Sequence, residues 1–386
     1  MCFIITIMTK TTIFDVLILY SDRRAKSASS QSEHILTPFA KGSKNDSYNI
    51  FYGYFLKTCQ NNNLKVAFAT TSDITGAGRC RSYWLFENDR WIKVSNPGYS
   101  KLIFDKFSPF NQRIEAKRNL LFSSHEVKPF NHPYLFNLFF DKYKTYQKLH
   151  KYAIPTVIIE DKTRESIENA CKSLKHLFAR HRHQNDFSDE IVMKDRFGAE
   201  GVYVYKFNAN QYREIVEKVN KHRKTSFIIQ PFIKFDKGYS FQNSPVAADI
   251  RLIYLGGKVI QTYIRIAEDG EFRCNEHRGG KLIYISKNQV PSDVFSLSEK
   301  IVKILKKKRS LFTLDFIISN YGNVYFLEGN TGPGLDWNLS IKKNVIEGKK
   351  LIRIIVKELV RRAEQPILNT NKNTDQTLAD IPVISW

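Results

Sequence analysis

The sequence is poor in the residues that build fibres, solenoids and stapled scaffolds. Glycine (18) and proline (12) are too sparse in 386 residues for a collagen-like or low-complexity chain. No repeat recurs at a period of roughly 20–50 residues, which excludes solenoids and propellers. The cysteines, Cys2, Cys59, Cys80, Cys171 and Cys274, are odd in number, far apart and without a CxxC pair. A disulfide framework or zinc site is therefore not expected, and a reducing cytosol fits best. Long hydrophobic runs are missing too: the opening MCFIITIM is short, lacks a basic start and has no small-residue cleavage site. Neither a signal peptide nor a transmembrane span is expected, and the run FDVLILY is of strand length. A soluble, cytoplasmic protein is the expectation.

Acidic residues are also scarce, with 38 Asp+Glu against 60 Lys+Arg and a formal net charge of +22. Such an excess suits a polyanionic partner such as nucleic acid, an anionic membrane or an acidic substrate. The bland alternative is a Lys-rich compositional background, because the basic residues are spread along the chain and cluster most densely only at Lys306–Arg309. What the chain does have is apolar bulk: hydrophobic residues make up 42% and aromatics 13%, with 28 Phe and 19 Tyr. That is enough for a large core, and the length suggests two or three coupled domains.

Along the chain, FDVLILY, a helix over 49–60 and the strand 65–70 begin a small α/β unit. Residues 22–48 between them are polar and read as a loop or mobile insertion. Gly76-x-Gly78 lacks the third glycine and following helix of a nucleotide loop, so a turn before a hairpin is expected there, with Trp84 and Trp91 flanking an 87–89 tip. A boundary falls near 125. Beyond it a helix runs from Pro133 to about Lys151, and an amphipathic helix covers 164–182. Two hairpins follow, 190–207 and 311–330, separated by the strand 226–233 and the sheet-like run 249–267. Helices near 293–308 and 341–363 flank the second hairpin, and Ile352, Ile355, Val356 and Leu359 share one face of the latter.

The second hairpin carries the first chemical signal. With a two-residue loop at Tyr321-Gly322, Asp315 lies opposite Glu328, and Asn330 falls on the same face by the period of two. Paired carboxylates repel unless a cation separates them, and hard oxygen donors suit Mg²⁺; a solvent-facing acidic hairpin is the alternative. In the first hairpin, Lys194 ends a strand, and the loop from Gly198 to Gly201 can turn backbone N–H groups toward phosphate oxygens. Lys142 reads equally well as one lysine of a solvated helix. The stretch 265–281 concentrates Arg265, Arg273 and Arg278 with Asn275, His277 and Gly279-Gly280. Guanidinium forks bind phosphate or carboxylate bidentately, and the glycines allow close backbone approach.

The run DIRLIYLGGKVIQTYIRIAEDGEFRCNEHRGG, followed by LDFI…VYFLEGNTGPGL, resembles the RimK-type branch of the ATP-grasp ligases, near the glutathione synthetases. The resemblance covers roughly residues 130–363. It implies an α/β (α+β) ATP-grasp fold in which two α/β subdomains of residues 126–366 clamp ATP. A small N-terminal α/β domain (1–125) would precede them and a tail (367–386) follow. By the resemblance Lys142 and Lys194 look like the lysines on the α- and β-phosphates, and Gly198 to Gly201 like the glycine loop covering them. Gln230, Phe232 and Ile233 look like the adenine hinge. Asp249 and Arg251 match the DxR element, while Arg273 and Asn275 match phosphate contacts. Arg265 matches the arginine facing the transferred phosphoryl group, with Arg251 and Arg278 as further catalytic arginines. Asp315, Glu328 and Asn330 match the metal ligands.

Three positions depart from the family pattern. Pro231 replaces an acidic hinge residue, the ribose contact falls to Asp236 for want of a better candidate, and Glu200 puts a negative charge in a phosphate-covering loop. The implied activity is ATP-dependent carboxylate–amine ligation through an acylphosphate, with ATP and Mg²⁺ (or Mn²⁺) as cofactors. The amine acceptor would be a small amino acid or the end of a protein. Membrane and nucleic acid are not expected as partners, and a homo-oligomer stays open. The rival readings are an ATP-binding regulatory module without ligation and, from the charge, a nucleic-acid-binding protein.

Overall fold

The computed structural model describes residues 10–307, 309–335 and 337–364. The opening MCFIITIM, Lys308 of the basic cluster and the expected tail lie outside them. The first sheet contains β1 (Val16–Tyr20), β2 (Val66–Thr70), β3 (Tyr83–Glu87), β4 (Arg90–Val94), β5 (Leu102–Lys106) and β6 (Lys128–Pro129), in the order β6-β5-β1-β2-β3-β4. The first four of that order run parallel, and β3-β4 is an antiparallel edge hairpin. Both β1 and β2 are buried along their whole length, which explains their unbroken apolar sequence. The hairpin tip falls at Asn88-Asp89, both in the left-handed region, as a tight turn between Trp84 and Trp91 requires. Gly78, at φ +62°, sits where a Cβ would meet the Ser100 carbonyl at 2.3 Å, so Gly76-x-Gly78 is a packing turn.

The segment 22–48 has no helix or strand before Tyr48, where α1 begins, yet it is pinned. Ala25, Ala28 and Phe39 are buried. Ser27 and Ser82 both donate to the buried Asp73 carboxylate, and the Trp84 indole donates to the Lys26 carbonyl. A polar composition had suggested mobility; small residues and serine hydroxyls instead supply anchors.

Helix α1 (Tyr48–Gln60) covers the first sheet, and α2 (Gln112–Leu121) precedes β6. The single helix expected from Pro133 to Lys151 is two, α3 (Pro133–Phe140) and α4 (Lys142–Leu149). Asp141 breaks them: it adopts an extended conformation, and its carboxylate accepts from the N–H groups of Tyr143 and Lys144 as an N-cap. The break sets Lys142 at the first turn of α4.

A second sheet is formed by β7 (Val157–Ile158), β8 (Phe187–Asp195), β9 (Val204–Asn208) and β10 (Phe227–Ile233), antiparallel in the order β7-β10-β8-β9. Helices α5 (Arg164–Ala179) and α6 (Tyr212–Lys221) bury Ile167, Leu174, Ile215 and Val219 against it. The third sheet contains β11 (Ala248–Leu255), β12 (Lys258–Ile266), β13 (Lys281–Tyr284), β14 (Phe312–Ile318) and β15 (Val324–Asn330). It is antiparallel in the order β13-β12-β11-β14-β15. Helix α7 (Ser292–Leu305) packs on it, and α8 (Lys342–Ala363) joins it to the first sheet. One core runs through Val16, Phe55 and Phe104 to Ile253, Ile352 and Leu359, and the Phe51 and Trp337 rings lie 4.2 Å apart across it.

Candidate active site

The second and third sheets face each other across a cleft enclosing about 920 Å³ of empty space, including its mouth, within the usual range for small-molecule sites. Its polar floor is set by register in the third sheet. Arg251 pairs across β11-β12 with Tyr263 and across β11-β14 with Asp315, which in turn pairs with Glu328 on β15. Tyr263, Arg251, Asp315 and Glu328 thus form one row perpendicular to the strands, and Arg265 opposite Asp249 begins the next.

The Asp315–Glu328 pair arises differently from the expectation. Near the turn the partners are Ile318–Val324 and Phe316–Phe326, so the loop is longer than Tyr321-Gly322. A bulge at Leu327 then shifts the register and brings Asp315 opposite Glu328.

The row is bonded throughout. Arg251 Nε donates to Asp315 Oδ1 at 2.6 Å, its Nη2 donates to Asp315 Oδ2, and its Nη1 reaches the Tyr263 hydroxyl at 3.1 Å. Arg265 forks onto both Asp249 oxygens at 2.8 Å each, and its Nη2 also donates to Asp315 Oδ2 at 2.9 Å. Glu328 stands 3.7 Å from Arg251 and accepts from the Asn330 amide at 3.3 Å. Asp315 is wholly buried, whereas the Glu328 side chain keeps 29% of its surface exposed, and Glu328 lines the cleft.

Burial raises the Asp315 carboxyl against the pull of Arg251 and Arg265. At Glu328 burial also pushes up, but Lys142, Arg251, Arg265 and Lys194 together hold the group at about 2, so it is ionised at neutral pH. Arg251 and Arg265 are raised despite burial: beyond the mutual repulsion felt by Arg251, Asp315 holds one, and Asp249 and Asp315 the other.

Opposite this floor, β8 delivers Lys194 and α4 delivers Lys142. Burial and then the Lys142 charge lower Lys194 to about 8, with Glu328 opposing; burial likewise lowers Lys142. Lys142 Nζ donates to the Gly198 carbonyl. The loop beyond Gly198 has three residues with positive φ, Glu200 (60°), Gly201 (68°) and Tyr203 (53°). A Cβ on Gly201 would come within 3.1 Å of Asn275 Oδ1, so the glycine lets loop and Asn275 touch. Gln230, Phe232 and Ile233 line the cleft from β10, with the Gln230 amide fixed by the Thr156 hydroxyl at 2.7 Å. Phe232 meets Phe272 edge-on at 5.9 Å, giving an apolar end.

The cleft therefore gathers Lys142, Lys194, Gly198, Gly201, Gln230, Phe232, Ile233, Asp249, Arg265, Arg273, Asn275 and Glu328 in its lining. Arg251 and Asp315 lie beneath, and Asn330 reaches it through Glu328. Arg278 is not brought to Arg265: it is exposed, donates to the Gly201 carbonyl at 3.3 Å and lines an adjoining groove. Asp236 is not in the lining either, because its carboxylate accepts from Asn320 at 2.8 Å. Arg273 spends its guanidinium on Glu271 and on the Val204 carbonyl at 3.4 Å. Tyr263, Thr156 and Glu271 were missed; only Tyr263 had a signal, two residues from Arg265 on the same strand.

Asp315, Glu328 and Asn330 offer hard oxygen donors on adjacent positions, which fits Mg²⁺. Among the described residues no group of three or more His, Cys, Asp or Glu could hold a metal by itself, so phosphate oxygens would have to complete the shell. No helix among the described residues is long and apolar enough to cross a membrane.

Comparison with known proteins bears on the fold and the family. A probable alpha-L-glutamate ligase of Hydrogenovibrio crunogenus is 30% identical over 146 residues, covering 38% of this chain and 44% of the relative; the chain thus spans less than half of that relative's length. D-alanyl-alanine synthetase A from Vibrio cholerae superposes with a TM-score of 0.55 at 15% identity, covering 92% of this chain and 99% of its own. A RimK domain ATP-grasp protein from Sphaerobacter thermophilus gives 0.51 at 12% identity, covering 89% and 98%. These two likenesses establish the ATP-grasp fold. The model of the RimK-like ATP-grasp domain matches residues 141–355, more than half of the chain, and the protein belongs to that family.

Proposed function

We propose that the protein is an ATP-dependent carboxylate–amine ligase that forms an amide or peptide bond. The observation that carries this reading is the facing arrangement: Lys142, Lys194 and the glycine loop above, and below them Arg265, bonded to Asp315 from the neighbouring row, with Glu328 beside it. Phosphoryl transfer needs charge neutralisation and alignment rather than a covalent nucleophile. A polyphosphate laid in the cleft meets the two lysines, while its adenine end meets Phe232, Ile233 and the Pro231 carbonyl. Arg265 offers a planar fork to the terminal phosphoryl group. The substrate carboxylate oxygen attacks that phosphorus and ADP leaves; the amine nitrogen then attacks the acyl carbon, phosphate leaves and the amine loses its proton.

Mg²⁺, when bound, neutralises charge on the phosphate oxygens as a Lewis acid. Glu328 would hold it from the cleft lining with Asn330 beside it, and Asp315 could join them only by giving up one of its bonds to Arg251 or Arg265. Mn²⁺ suits the same donors. Cys59, Cys80, Cys171 and Cys274 are free and buried, which supports a cytoplasmic setting. The amine acceptor is a small amino acid or the end of a polypeptide. The deciding experiment is ADP release by the purified protein with pooled carboxylates and amines, followed by mass spectrometry of the product. ATP binding without ADP release under every pool would leave the regulatory-module reading in its place.

A further inference from the structure

Glu200 is the anomaly of the cleft, since a carboxylate at the tip of a phosphate-covering loop repels the group the loop should cover. Its backbone is held in the left-handed region at φ +60°, a conformation that is unfavourable for a residue with a Cβ. The position is thus unfavourable both electrostatically and locally, and something outside the loop must hold it. That partner is Arg24, whose Nη2 donates to Glu200 Oε1 at 2.6 Å across a sequence separation of 176 residues.

Arg24 does not hang from a mobile strap. Its N–H and that of Ala25 bond to the Ser21 carbonyl directly after β1, and Ala25 is buried. Lys26 is fixed on both sides, its N–H to the Pro38 carbonyl and its carbonyl to the Trp84 indole. The first sheet thus presents Arg24 from a rigid turn.

The loop has two further cationic ties, Lys142 Nζ to the Gly198 carbonyl and Arg278 to the Gly201 carbonyl. Both act on backbone, Lys142 from within the cleft and Arg278 from the adjoining groove. Among the described residues, the Arg24 contact alone ties the loop to the N-terminal sheet by a side-chain ion pair. We propose that Arg24 and Glu200 are a positioning pair that holds the phosphate-covering loop closed over the cleft from the N-terminal sheet.

The proposal rests on the nucleotide-binding reading only for its second readout. Arg24 and Glu200 keep 33% and 40% of their side-chain surface exposed, so the pair is worth about what a half-solvated ion pair is worth, a factor of about two to five in the closing equilibrium. Two measurements test it on the full-length chain. In the nucleotide-free protein, limited chymotrypsin digestion should cut after Tyr203 about two- to fivefold faster in Arg24→Gln, and faster again in Arg24→Glu, where two carboxylates face each other. The charge-swapped double variant Arg24→Glu/Glu200→Arg should return cleavage to near the original rate. A fluorescent ADP analogue should show the same order in its dissociation rate, with the differences shrinking as salt rises.

Equal cleavage in Arg24→Gln and the unaltered chain, or no rescue by the swap, overturns the proposal. An unaltered chain that fails to bind ADP while the digestion order holds would instead overturn the nucleotide reading and leave the pair standing.

Discussion

Lys194 shows how the cleft trades stability for binding. Its ammonium is buried at the end of β8, and burial together with Lys142 brings its pKa from 10.5 to about 8. A group whose pKa is lowered by folding destabilises the folded state in its charged form. The fall from 10.5 to about 8, at ~1.4 kcal/mol per tenfold change, amounts to roughly 3–4 kcal/mol. That cost is fully present below pH 8, shrinks as pH rises and is gone above the unfolded value of 10.5. Lys194→Met keeps the length of the side chain and removes the charge, so the nucleotide-free variant should melt about 3–6 °C higher at pH 7. The same variant should lose at least tenfold in ADP affinity, because the phosphate loses its buried cation. In the unaltered protein, ADP affinity should fall as pH rises through 8, where Lys194 loses its proton. Differential scanning calorimetry and ADP titration read both effects. A variant that melts lower than the original, or one that binds ADP equally well, refutes this account of Lys194.

Glu328→Gln should keep the fold and most of the nucleotide affinity but abolish ATP turnover, because the donor set loses its cleft-facing charge; turnover at the original rate would remove Glu328 from the chemistry. Arg265→Lys retains charge but cannot serve Asp249 and Asp315 together as the fork does. It should lose at least about tenfold in turnover, on the order of 1.4 kcal/mol, and an unchanged rate would make Arg265 a structural partner of Asp249 only. If the excess of basic residues steers a polyanionic substrate, kcat/KM should fall steeply with salt while kcat holds, whereas a small zwitterion should give a flat profile. A flat profile measured with a polyanionic substrate would show that the net charge of +22 plays no part in encounter.

What was legible in the sequence is what depends on short-range periodicity. The sheet-like run 249–267 and the two hairpins on either side of it were read as strands and are strands, whereas Asp249 and Arg251 were singled out only by the family resemblance. The helix break at Asp141 was not seen, although an Asp followed by a helical run is an N-cap signal, because the apolar and lysine-rich pattern continues through it. The Asp315–Glu328 pairing was reached through a wrong turn: a two-residue loop and no bulge give the same partners as a longer loop with a bulge at Leu327. Neighbours in register are robust to such compensating errors, whereas turn type is not. The partners Arg24–Glu200 and Thr156–Gln230 were out of reach, since nothing local marks one side chain as the complement of another 176 or 74 residues away. Asp236 and Arg278 show the same limit in reverse: composition singled them out, while long-range packing sets one against Asn320 and the other against the Gly201 carbonyl.

The charges of the cleft also explain why so polar a floor can be built into a buried sheet. Isolated, the carboxylates of Asp249 and Asp315 would each cost several kcal/mol to bury. They are tolerated because Arg265 bridges the two and Arg251 forks onto the second, so every oxygen meets a guanidinium. Lys142 and Lys194 have no such satisfaction; their strongest carboxylate neighbour is Glu328, and both are pulled toward neutrality by burial. The cleft thus has a satisfied anionic floor and an under-satisfied cationic roof, with the ionised Glu328 between them. On the proposed reading, an incoming polyphosphate would meet its strongest demand at the roof. Only after that would it compete with Asp315 for Arg265, a fork that already serves two carboxylates. The asymmetry follows from register alone, because β11, β12 and β14 bring acids opposite arginines, while β8 and α4 bring lysines opposite neither.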